Sequence, residues 1–410
     1  MIRAVKGTRD ILPPSSGVWN HVEAVARRIF RAYNYGEIRT PIFEETTLFA
    51  RSVGEETDIV SKEMYTFDDH GTSLTLRPEN TASVIRAWIE HRLDQQPGLQ
   101  KLYYMGPMFR RERPQKGRYR QFYQIGAEVI GSESPAVDAE VIEMVVEILR
   151  GVGLEGFQLL INSVGCPKCR AVFVAALRER LKDVASTMCT DCQRRTETNP
   201  LRVLDCKVPE DQPIIESLPS ILDYLDEGCR THFEAVQRYL TDLAIPFEVK
   251  PRLVRGLDYY TRTTFEIVHG SLGAQNSVLG GGRYDGLAES LGSKVPGPGI
   301  GFSIGEDRLV MSVEDKFSET NHIQLLIAPM GEAALRHSAL LARDIRAKGA
   351  VVELAPDGKL KRSLELANKI GAQQTLIVGD NEIASGAYAL KNMTSGEQTS
   401  VSREDLLNRF

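Results

Sequence analysis

The sequence predicts an α+β protein built on a mostly antiparallel sheet, with an inserted helical subdomain and a C-terminal α/β domain. Between residues 60 and 130, segments rich in Tyr, Phe, Leu and Val follow one another with few helices between them, which favours antiparallel pairing. Residues 166–245 are instead Arg-rich, helical and cysteine-bearing. After residue 315, strand and helix patterns alternate, as is typical of an α/β unit. Because 410 residues are too many for one hydrophobic core, we expect two or three domains.

Composition places the chain among ordinary globular proteins. Lys and Arg total 50, Asp and Glu total 55, and 42% of the residues are hydrophobic, so the formal net charge is −5. A mildly acidic net charge excludes a protein that coats nucleic acid through general electrostatic attraction, but it allows a local basic surface. No run approaches ~18 uncharged apolar residues, and MIRAVKGTRD lacks the apolar centre of a secretory signal. We therefore expect a cytoplasmic protein with no membrane contact.

The first predicted element is a helix that ends before Gly36. Apolar residues recur there at three- and four-residue steps, at Val18, Val22, Val25 and Ile29. The next segment, IRTPIFEE, is a predicted strand that Pro41 interrupts, which suits an edge or an interface. Strands are then predicted at MYTFDD, SLTLRP, KLYYMGPMFR and QFYQIGAEVIG, and helices at 79–93 and 135–150.

The later elements give the domain boundaries. FEVKPRLVRGLDYYTRTTFEIV returns to a strand pattern and a Gly-rich region follows it. Beyond residue 315, HIQLLIAPM, VVELAP and QTLIVGD are predicted strands separated by helices, in a largely parallel sheet. We expect a first domain at residues 1–320, with the insert at about 166–245, and a second domain at 321–410.

The densest chemical signal is FRRERPQKGRYRQF at residues 109–122. From Arg110 to Arg120 it holds six basic residues and one acid, Glu112. Its Pro and Gly residues predict a hairpin loop between two strands. Guanidinium groups bind oxyanions through paired hydrogen bonds, so such a loop suits phosphates. Taken alone, the run could equally be a solvated basic turn.

Two further motifs contain glycine. In RGLDYYTRTTFEI, a strand start is predicted at Arg255, Tyr259 and Tyr260. These are either binding residues or a structural tyrosine pair with a surface arginine. LGGGRYDGL and PGPGIGFSIGEDRL imply bends and close approach of the backbone. Arg308 lies at the end of the second of these motifs. It is either a phosphate ligand or an ordinary arginine at the start of a helix. The chain has no dinucleotide fingerprint, no GK[ST], no HRD and no DFG, which excludes a P-loop and a protein kinase.

All six cysteines fall within the predicted insert. Four of them form a C-x₂-C-x₁₉-C-x₂-C pattern, at Cys166, Cys169, Cys189 and Cys192. That spacing predicts one structural Zn²⁺ site with tetrahedral thiolate ligands. The alternative is a set of reduced cysteines that pack the insert. Clustering in a large intracellular chain disfavours disulfides.

Together these motifs resemble the histidyl-tRNA synthetases, a family of class II aminoacyl-tRNA synthetases. TPIFE with Pro41, FRRERPQKGRYRQF and GIGFSIGEDRL are similar to the three class II motifs. TLRPENT, RGLDYYT and GGGRYDGL are similar to features of the histidyl family in particular. The resemblance runs from KGTRDILP at residue 6 to the C-terminal helix. It implies a class II catalytic domain at residues 1–320 and an anticodon-binding domain at 321–410.

The resemblance implies roles in ATP binding for the matching residues. Arg110 would hold the α-phosphate, and Glu112 would help to fix the nucleotide. Phe122 would stack on the adenine, and Arg308 would bind the γ-phosphate of a bent ATP. Arg255 would lie at the histidine carboxylate and the α-phosphate. Mg²⁺ and Arg308 would neutralise the leaving pyrophosphate.

The other implied roles concern L-histidine. The residues expected around it are Glu79, Thr81 and Gln124 at the α-amino group, and Glu128, Tyr260, Tyr259 and Tyr284 at the imidazole. An isostere without the ring nitrogens would leave such buried polar groups unpaired, which permits discrimination of ~10⁴ without editing. Three positions depart from the family pattern: Asn80, Tyr123 and the pair Glu306-Asp307. Each could shift affinity without removing a role.

The implied activity is that of a histidine–tRNA ligase, with L-histidine, ATP and tRNA(His) as partners, a homodimeric state and no DNA partner. One rival is a non-catalytic paralogue, the regulatory subunit of ATP phosphoribosyltransferase, which typically lacks the C-terminal domain and loses the reactive arginines. Arg110, Arg255 and Arg308 are all present here. A second rival, a plain RNA-binding module, would not need paired tyrosines and Glu128 near a Gly-rich site.

Overall fold

The chain divides into two compact units, residues 1–318 and 319–410. The computed structural model describes residues 2–54, 57, 59–112, 115, 117–270, 276–316, 323–356 and 359–410. Arg113, Pro114 and Lys116 of the basic loop and residues 271–275 of the Gly-rich region lie outside the described residues.

Helices and strands of the first unit fall largely where the sequence patterns predict them. The helices are α1 (Ser15–Ala32), α2 (Thr46–Val53), α3 (Thr81–Glu90), α4 (Pro135–Gly151), α5 (Pro167–Val184), α6 (Thr190–Thr198), α7 (Gln212–Ser217), α8 (Glu227–Asp242), α9 (Leu287–Ser290) and α10 (Glu306–Val313). The strands are β1 (Gly36–Glu37), β2 (Phe43–Glu45), β3 (Tyr65–Asp69), β4 (Thr72–Leu76), β5 (Gln100–Phe109), β6 (Gln121–Ile130), β7 (Gln158–Ser163), β8 (Glu248–Val249), β9 (Thr261–Val268), β10 (Ser277–Arg283) and β11 (Gly299–Gly305). Within the described ranges, no helix is long and apolar enough to cross a membrane.

The main sheet is mostly antiparallel, and this confirms the predicted fold class. Its described strands lie in the order β1-β5-β6-β11-β10-β9-β7-β8. Every interior pair is antiparallel, whereas the edge pairs β1–β5 and β7–β8 are parallel. The basic loop joins β5 to β6, which form the predicted hairpin. A separate small sheet has the order β2-β4-β3, so the strand after Pro41 lies at an edge as expected.

The main core lies on one face of this sheet, under α1 and α4. Val22 and Phe30 of α1 are fully buried, and the Phe30 ring stacks on Tyr103 of β5 with 4.4 Å between centroids. Burying one such side chain stabilises the fold by about 1.5–3 kcal/mol. Alternate residues of β6, such as Ile125, join this core. Because side chains alternate along a strand, the residues between them face the opposite side, where the cavity described below opens.

The insert has a hydrophobic core of its own, formed by α5 to α7, the segments between them and the start of α8, whereas the rest of α8 packs in the main core. The fully buried members of the insert core include Phe173, Leu177, Leu181, Cys192 and Val203. Its helices carry charged residues on their outer faces, which explains the Arg-rich composition of this segment. The cysteines therefore lie in a small, separately packed body.

The second unit contains a mixed sheet rather than the largely parallel one that we expected. Its helices are α11 (Glu332–Arg346), α12 (Leu360–Lys369), α13 (Asp380–Ser385) and α14 (Arg403–Arg409), and its strands are β12 (Leu325–Pro329), β13 (Val352–Leu354), β14 (Gln374–Val378), β15 (Ala387–Asn392) and β16 (Gln398–Ser402). The order is β13-β12-β14-β15-β16. The pairs among β13, β12 and β14 are parallel, but β15 and β16 add antiparallel pairs. These two short strands lack the long apolar runs that marked the others.

Candidate active site

The strand register places several glycines side by side on the open face of the main sheet. This glycine-lined face is the floor of the cavity described below. Glu128 of β6 lies opposite Gly301 of β11, and Gly301 lies opposite Gly282 of β10. Gly280, two residues before Gly282, lies opposite Glu266 of β9. Residues directly opposite each other in antiparallel strands share a face. The Gly-rich motifs therefore lie side by side within strands, and the expected irregularity is observed where the pairing of β10 with β9 shifts register between Gly282 and Arg283.

The glycines are needed for space, because functional side chains cross directly over them. A Cβ atom on Gly301 would come within 2.5 Å of the carboxyl carbon of Glu128. A Cβ atom on Gly280 would overlap the guanidinium group of Arg255. The predicted close approach is therefore observed, and it lets the side chains of Glu128 and Arg255 lie flat against the sheet.

A cavity of about 920 Å³ opens above this floor. The lining includes every residue expected to bind ATP or histidine except Glu128, namely Glu79, Thr81, Arg110, Glu112, Phe122, Gln124, Arg255, Tyr259, Tyr260, Tyr284 and Arg308. Glu128 lies directly behind the lining, hydrogen-bonded to Thr81 and Tyr284. Folding thus brings residues from TLRPENT, the basic motif, RGLDYYT, GGGRYDGL and GIGFSIGEDRL to one place, whereas TPIFE contributes none to the lining.

Arg110 and Arg308 enter the cavity from different segments and are anchored by backbone carbonyls. Arg110 donates from Nε to the carbonyl of Pro78 at 2.9 Å, which joins the basic motif to TLRPENT. Arg308 of α10 donates to the carbonyls of Ser277 at 2.6 Å and Gly117 at 3.3 Å. These contacts determine where both positive charges lie.

Positive charge is concentrated around Arg308. Burial lowers the pKa of Arg308, and the neighbouring charges of Arg118 and Arg110 lower it further. Glu112 offsets part of this repulsion through ion pairs with Arg118 at 3.1 Å and Arg110 at 3.8 Å. The Arg110 guanidinium also lies 5.2 Å from the centre of the Phe122 ring. Such a concentration of cations is typical of an anion-binding site.

Arg255 approaches from the opposite side of the cavity floor, paired with an acid that the sequence analysis missed. It lies in the loop before β9 rather than at a strand start, since β9 begins only at Thr261. Its nearest anionic partner is Glu266 of β9, at 3.4 Å. Burial alone would lower the pKa of Arg255, but Glu266 and Tyr260 raise it above its ordinary value. Glu266 could have been noticed as the one acid in the strand TRTTFEIV.

Glu128 is a fully buried carboxyl group held by two hydroxyls. Thr81 donates to its Oε1 at 2.6 Å, and Tyr284 donates to its Oε2 at 2.7 Å. Burial raises the pKa of Glu128 to about 8, although both hydroxyls favour the charged form. The group therefore holds a proton at neutral pH and can lose it when a basic ligand binds.

Glu79 and Gln124 supply further acceptors at the closed end of the cavity. Glu79 accepts the backbone N–H groups of Thr81 at 2.7 Å and Ala82 at 3.1 Å, at the N-terminus of α3. Burial nevertheless raises the pKa of Glu79. The buried Oε1 of Gln124 has no hydrogen-bond partner among the described residues. An amide oxygen in that condition suits a ligand that donates a hydrogen bond.

Three tyrosines close the wall beside Glu128. The rings of Tyr259 and Tyr260 lie 4.8 Å apart between centroids, and Tyr259 meets Tyr284 edge to face at 6.0 Å. Tyr260 and Tyr284 are buried. A flat slot lined by aromatic rings with a carboxyl group at its base suits a small planar ligand with ring N–H groups.

Comparison with known proteins decides the family. A family model described as histidyl-tRNA synthetase matches residues 7–309, and one described as anticodon binding domain matches residues 324–410. A curated protein of Solibacter usitatus (strain Ellin6076) named Histidine–tRNA ligase is 74% identical over 411 residues, covering 100% of this chain and 99% of that protein. The chain belongs to the histidyl-tRNA synthetase family. This confirms the resemblance to the histidyl-tRNA synthetases that the sequence motifs indicate.

Two further relatives agree with membership of the histidyl-tRNA synthetase family. A Histidine–tRNA ligase of Koribacter versatilis (strain Ellin345) is 58% identical and covers 99% of this chain and 95% of its own length. The apo histidyl-tRNA synthetase of S. aureus has a TM-score of 0.84 at 40% identity, with 100% of both chains covered. Because these full-length relatives are ligases, the regulatory-paralogue alternative is not favoured.

The three departures from the histidyl-tRNA synthetase pattern have separate structural settings. Asn80 is buried, and its Oδ1 accepts from Thr40 at 2.6 Å and Arg77 at 3.3 Å, outside the cavity contacts described above. The Tyr123 ring packs against Trp19 of α1, on the core side of β6. Asn80 therefore lies outside the cavity lining, whereas Tyr123 packs against α1 and also borders the cavity.

The acidic pair at the start of α10 has two different environments. Asp307 accepts from Arg9 at 2.8 Å and from the backbone N–H of Tyr123 at 2.9 Å. Glu306 is buried, and neither of its carboxyl oxygens has a hydrogen-bond partner within the described part of the chain. Burial raises its pKa to about 9, so Glu306 is neutral at pH 7. Asp307 thus links α10 to β6, on which Phe122 and Gln124 lie.

The structure does not bring the four cysteines of the predicted zinc site together in one group. The structure places Cys166 and Cys169 in one group of ligand-type side chains, and Cys189 and Cys192 in another. Each group also contains one of the remaining cysteines and an aspartate. The spacing C-x₂-C-x₁₉-C-x₂-C suggested one site because it does not show which helix ends meet in the folded insert.

Proposed function

We propose that this chain activates L-histidine with ATP, releasing pyrophosphate, and then transfers histidine from the adenylate to the 3′ end of tRNA(His). The observation that carries this proposal is the convergence of Arg110, Arg255 and Arg308 on one cavity beside the Glu128 slot. Membership of a family whose curated relatives are named Histidine–tRNA ligase supports it.

The arginines reduce the electrostatic repulsion between the two reactants of the first step. The histidine carboxylate must attack the α-phosphorus of ATP, and both groups are anionic. Arg110 and Arg255 flank the proposed α-phosphate position and reduce this repulsion, and Arg308 holds the γ-phosphate. ATP enters as its Mg²⁺ complex, in which the metal neutralises the departing pyrophosphate. Glu112 and Glu266 are cavity carboxylates of the kind that Mg²⁺ prefers.

The histidine slot follows from the same geometry. In this proposal Glu79, Thr81 and Gln124 receive the α-amino group, while Arg255 meets the carboxylate. Glu128 and Tyr260 contact the imidazole, and Tyr259 and Tyr284 enclose it. The adenine stacks on Phe122, and Glu112 helps to fix the nucleotide. A ligand that lacks the ring nitrogens would forgo the hydrogen bonds proposed with Glu128 and Tyr260 in a buried site, which supports discrimination of ~10⁴.

The second step, transfer of histidine to tRNA, involves the other parts of the chain. We assign residues 1–320 to catalysis, with the insert at about 166–245, and residues 321–410 to anticodon binding. The exposed basic residues of α12, Lys361 and Arg362, offer one edge for RNA. A cytoplasmic homodimer completes the proposal, and the exposed rings of Phe43 and Phe67 next to the Pro41 segment provide apolar surface for the partner subunit.

The deciding assay is exchange of labelled pyrophosphate into ATP. We expect exchange that depends on L-histidine and that no other amino acid supports at comparable concentration, because only imidazole pairs with Glu128. Folded protein that shows no exchange with histidine would contradict the proposal and favour the regulatory paralogue.

The pKa of Glu128 predicts how histidine binding depends on pH. Free Glu128 loses its proton near pH 8, and free imidazole gains one near pH 6.5. The complex needs one titratable proton, shared between the carboxyl group of Glu128 and the imidazole ring. Free Glu128 and free imidazole together carry one such proton only between about pH 6.5 and pH 8. We therefore expect the KM for histidine to be lowest between about pH 6.5 and 8, and to rise tenfold per unit well above pH 8.

The matched variant for this pH profile is Glu128→Gln, which keeps the size of the side chain but cannot ionise. It should raise the KM for histidine at pH 7 by about tenfold or more, since a hydrogen bond to a charged group contributes about 1.5–3 kcal/mol. It should also flatten the profile above pH 8. A wild-type KM that stays constant from pH 7 to pH 9.5 would contradict a proton on Glu128.

A further inference from the structure

The insert contains two four-residue groups of metal-ligand type. The groups are Cys166, Cys169, Asp226 and Cys229 in the first, and Cys189, Cys192, Cys206 and Asp211 in the second. Within each group the ligand atoms all lie within 4.8 Å of one another. Every cysteine of the chain belongs to one of the two groups, and each group has three thiols and one carboxylate.

The first group is formed where the N-termini of α5 and α8 meet. Cys166 is the N-cap residue of α5, and Cys169 lies in its first turn. Asp226 is the N-cap residue of α8, and Cys229 occupies the corresponding position in that helix. Thus Asp226-x-x-Cys229 has the same spacing as the C-x₂-C pair, with aspartate in place of the first cysteine. The backbone N–H of Asp226 donates to the sulfur of Cys169 at 3.1 Å, a contact that holds the two helix ends together.

The second group joins the N-terminus of α6 to the segment that precedes α7. Cys189 is the N-cap residue of α6, and Cys192 lies in its first turn. The sulfur atoms of Cys189 and Cys206 are 3.8 Å apart, and the Cys206 sulfur lies 3.2 Å from Asp211 Oδ2. Asp211 also accepts the backbone N–H of Cys189 at 3.1 Å, which orients its carboxylate.

These distances match a tetrahedral metal and exclude disulfides. Bonds of about 2.3 Å from one Zn²⁺ to two thiolates place the sulfur atoms about 3.8 Å apart. The Cys166 and Cys169 sulfurs are 3.5 Å apart, and those of Cys189 and Cys206 are 3.8 Å apart, whereas a disulfide requires about 2.05 Å. Three sulfurs with one oxygen favour zinc over the hard cations Mg²⁺ and Ca²⁺.

We propose that the insert binds two structural Zn²⁺ ions, each held by three cysteine thiolates and one aspartate. Four protein ligands fill a tetrahedral shell and leave no position for substrate, so the role is structural rather than catalytic. The ions add to the stability that the small hydrophobic core of the insert supplies.

Both ions would also support the segment that carries Arg255. Arg170 directly follows Cys169 and donates to the carbonyls of Asp258, at 3.2 Å, and Tyr260. Arg202, four residues before Cys206, donates to the carbonyl of Gly256 at 2.9 Å. Each metal group therefore lies next to an arginine that holds the backbone of RGLDYY.

The test is the zinc content of the full chain, purified without a metal-affinity tag and dialysed against a weak chelator. We expect two equivalents of zinc per chain by elemental analysis. Cys229→Ser should remove one equivalent, Cys206→Ser should remove the other, and the double variant should remove both. The control Asp223→Asn changes an exposed acid three residues from Asp226 and should retain two.

Two outcomes would overturn the proposal. Wild-type protein with one equivalent or none would exclude a pair of sites whatever the variants do, so the proposal stays testable if a serine variant does not fold. Loss of both equivalents from either folded single variant would show one shared site. Cobalt reconstitution gives a second measurement, because two Co²⁺ per chain with the visible bands of tetrahedral thiolate cobalt are expected. These readouts do not depend on pyrophosphate exchange, so they can fail while the ligase activity holds.

Discussion

Replacing Arg255 with alanine is expected to lower histidine-dependent pyrophosphate exchange by about 10²–10³-fold, the usual cost of losing one preorganised donor at a developing charge. Its guanidinium lies flat over Gly280, paired with Glu266 at 3.4 Å. In that position it can contact the attacking carboxylate and the α-phosphate together. Because the role proposed for Arg255 is stabilisation of the transition state, the loss should fall on kcat more than on the KM for ATP.

The control for Arg255→Ala is Arg238→Ala, which removes an exposed arginine from α8 in the insert. The control should leave exchange, unfolding midpoint and oligomeric state unchanged. Arg255→Ala should leave the last two unchanged as well, because Arg255 contributes charge rather than core packing. Loss of folding or assembly in parallel with exchange would show that Arg255 is structural.

Gly301→Ala is expected to lower kcat/KM for histidine by about 10²-fold or more, although it adds only one methyl group. The new Cβ would come within 2.5 Å of the Glu128 carboxyl carbon, so the carboxyl group must leave its position. Its bonds to Thr81 and Tyr284 would be lost with that movement. Overpacking of this kind also costs about 1–3 kcal/mol of stability, so the unfolding midpoint should fall moderately.

Two comparisons separate a displaced Glu128 from general damage to the sheet. Gly36→Ala, at the edge strand β1 of the same sheet, would meet nothing within 4 Å and should leave kinetics unchanged. Glu128→Ala should reproduce the catalytic loss without the steric clash. The double variant Gly301→Ala/Glu128→Ala should then be no slower than Glu128→Ala alone. Fully additive losses would mean that Gly301 acts independently of Glu128.

Much of the fold was predictable because its signals are local. The period of three to four residues in α1 and the alternation in β6 follow from which side chains each element buries. The alternation also explains why Phe122, Gln124 and Glu128, at even steps, share the cavity side of β6. The family roles of these residues came from the resemblance rather than from this pattern.

The features that the sequence did not predict depend on contacts between segments that are distant along the chain. Glu266 gains its importance only because β9 pairs with β10 in the register that brings it to Gly280 and Arg255. Cys206 and Cys229 complete their groups only when particular helix ends come together. A spacing rule along the chain contains none of this information. Pairing partners and register must be known first.

The central claim is that Arg110, Arg255 and Arg308 surround one triphosphate next to a slot that accepts imidazole. A crystal structure with ATP and histidinol, which lacks the attacking carboxylate, tests it most directly. We expect Arg110 and Arg255 at the α-phosphate, Arg308 at the γ-phosphate and a ring nitrogen of histidinol bonded to Glu128. Nucleotide bound away from these three arginines, or an imidazole that does not contact Glu128, would contradict it.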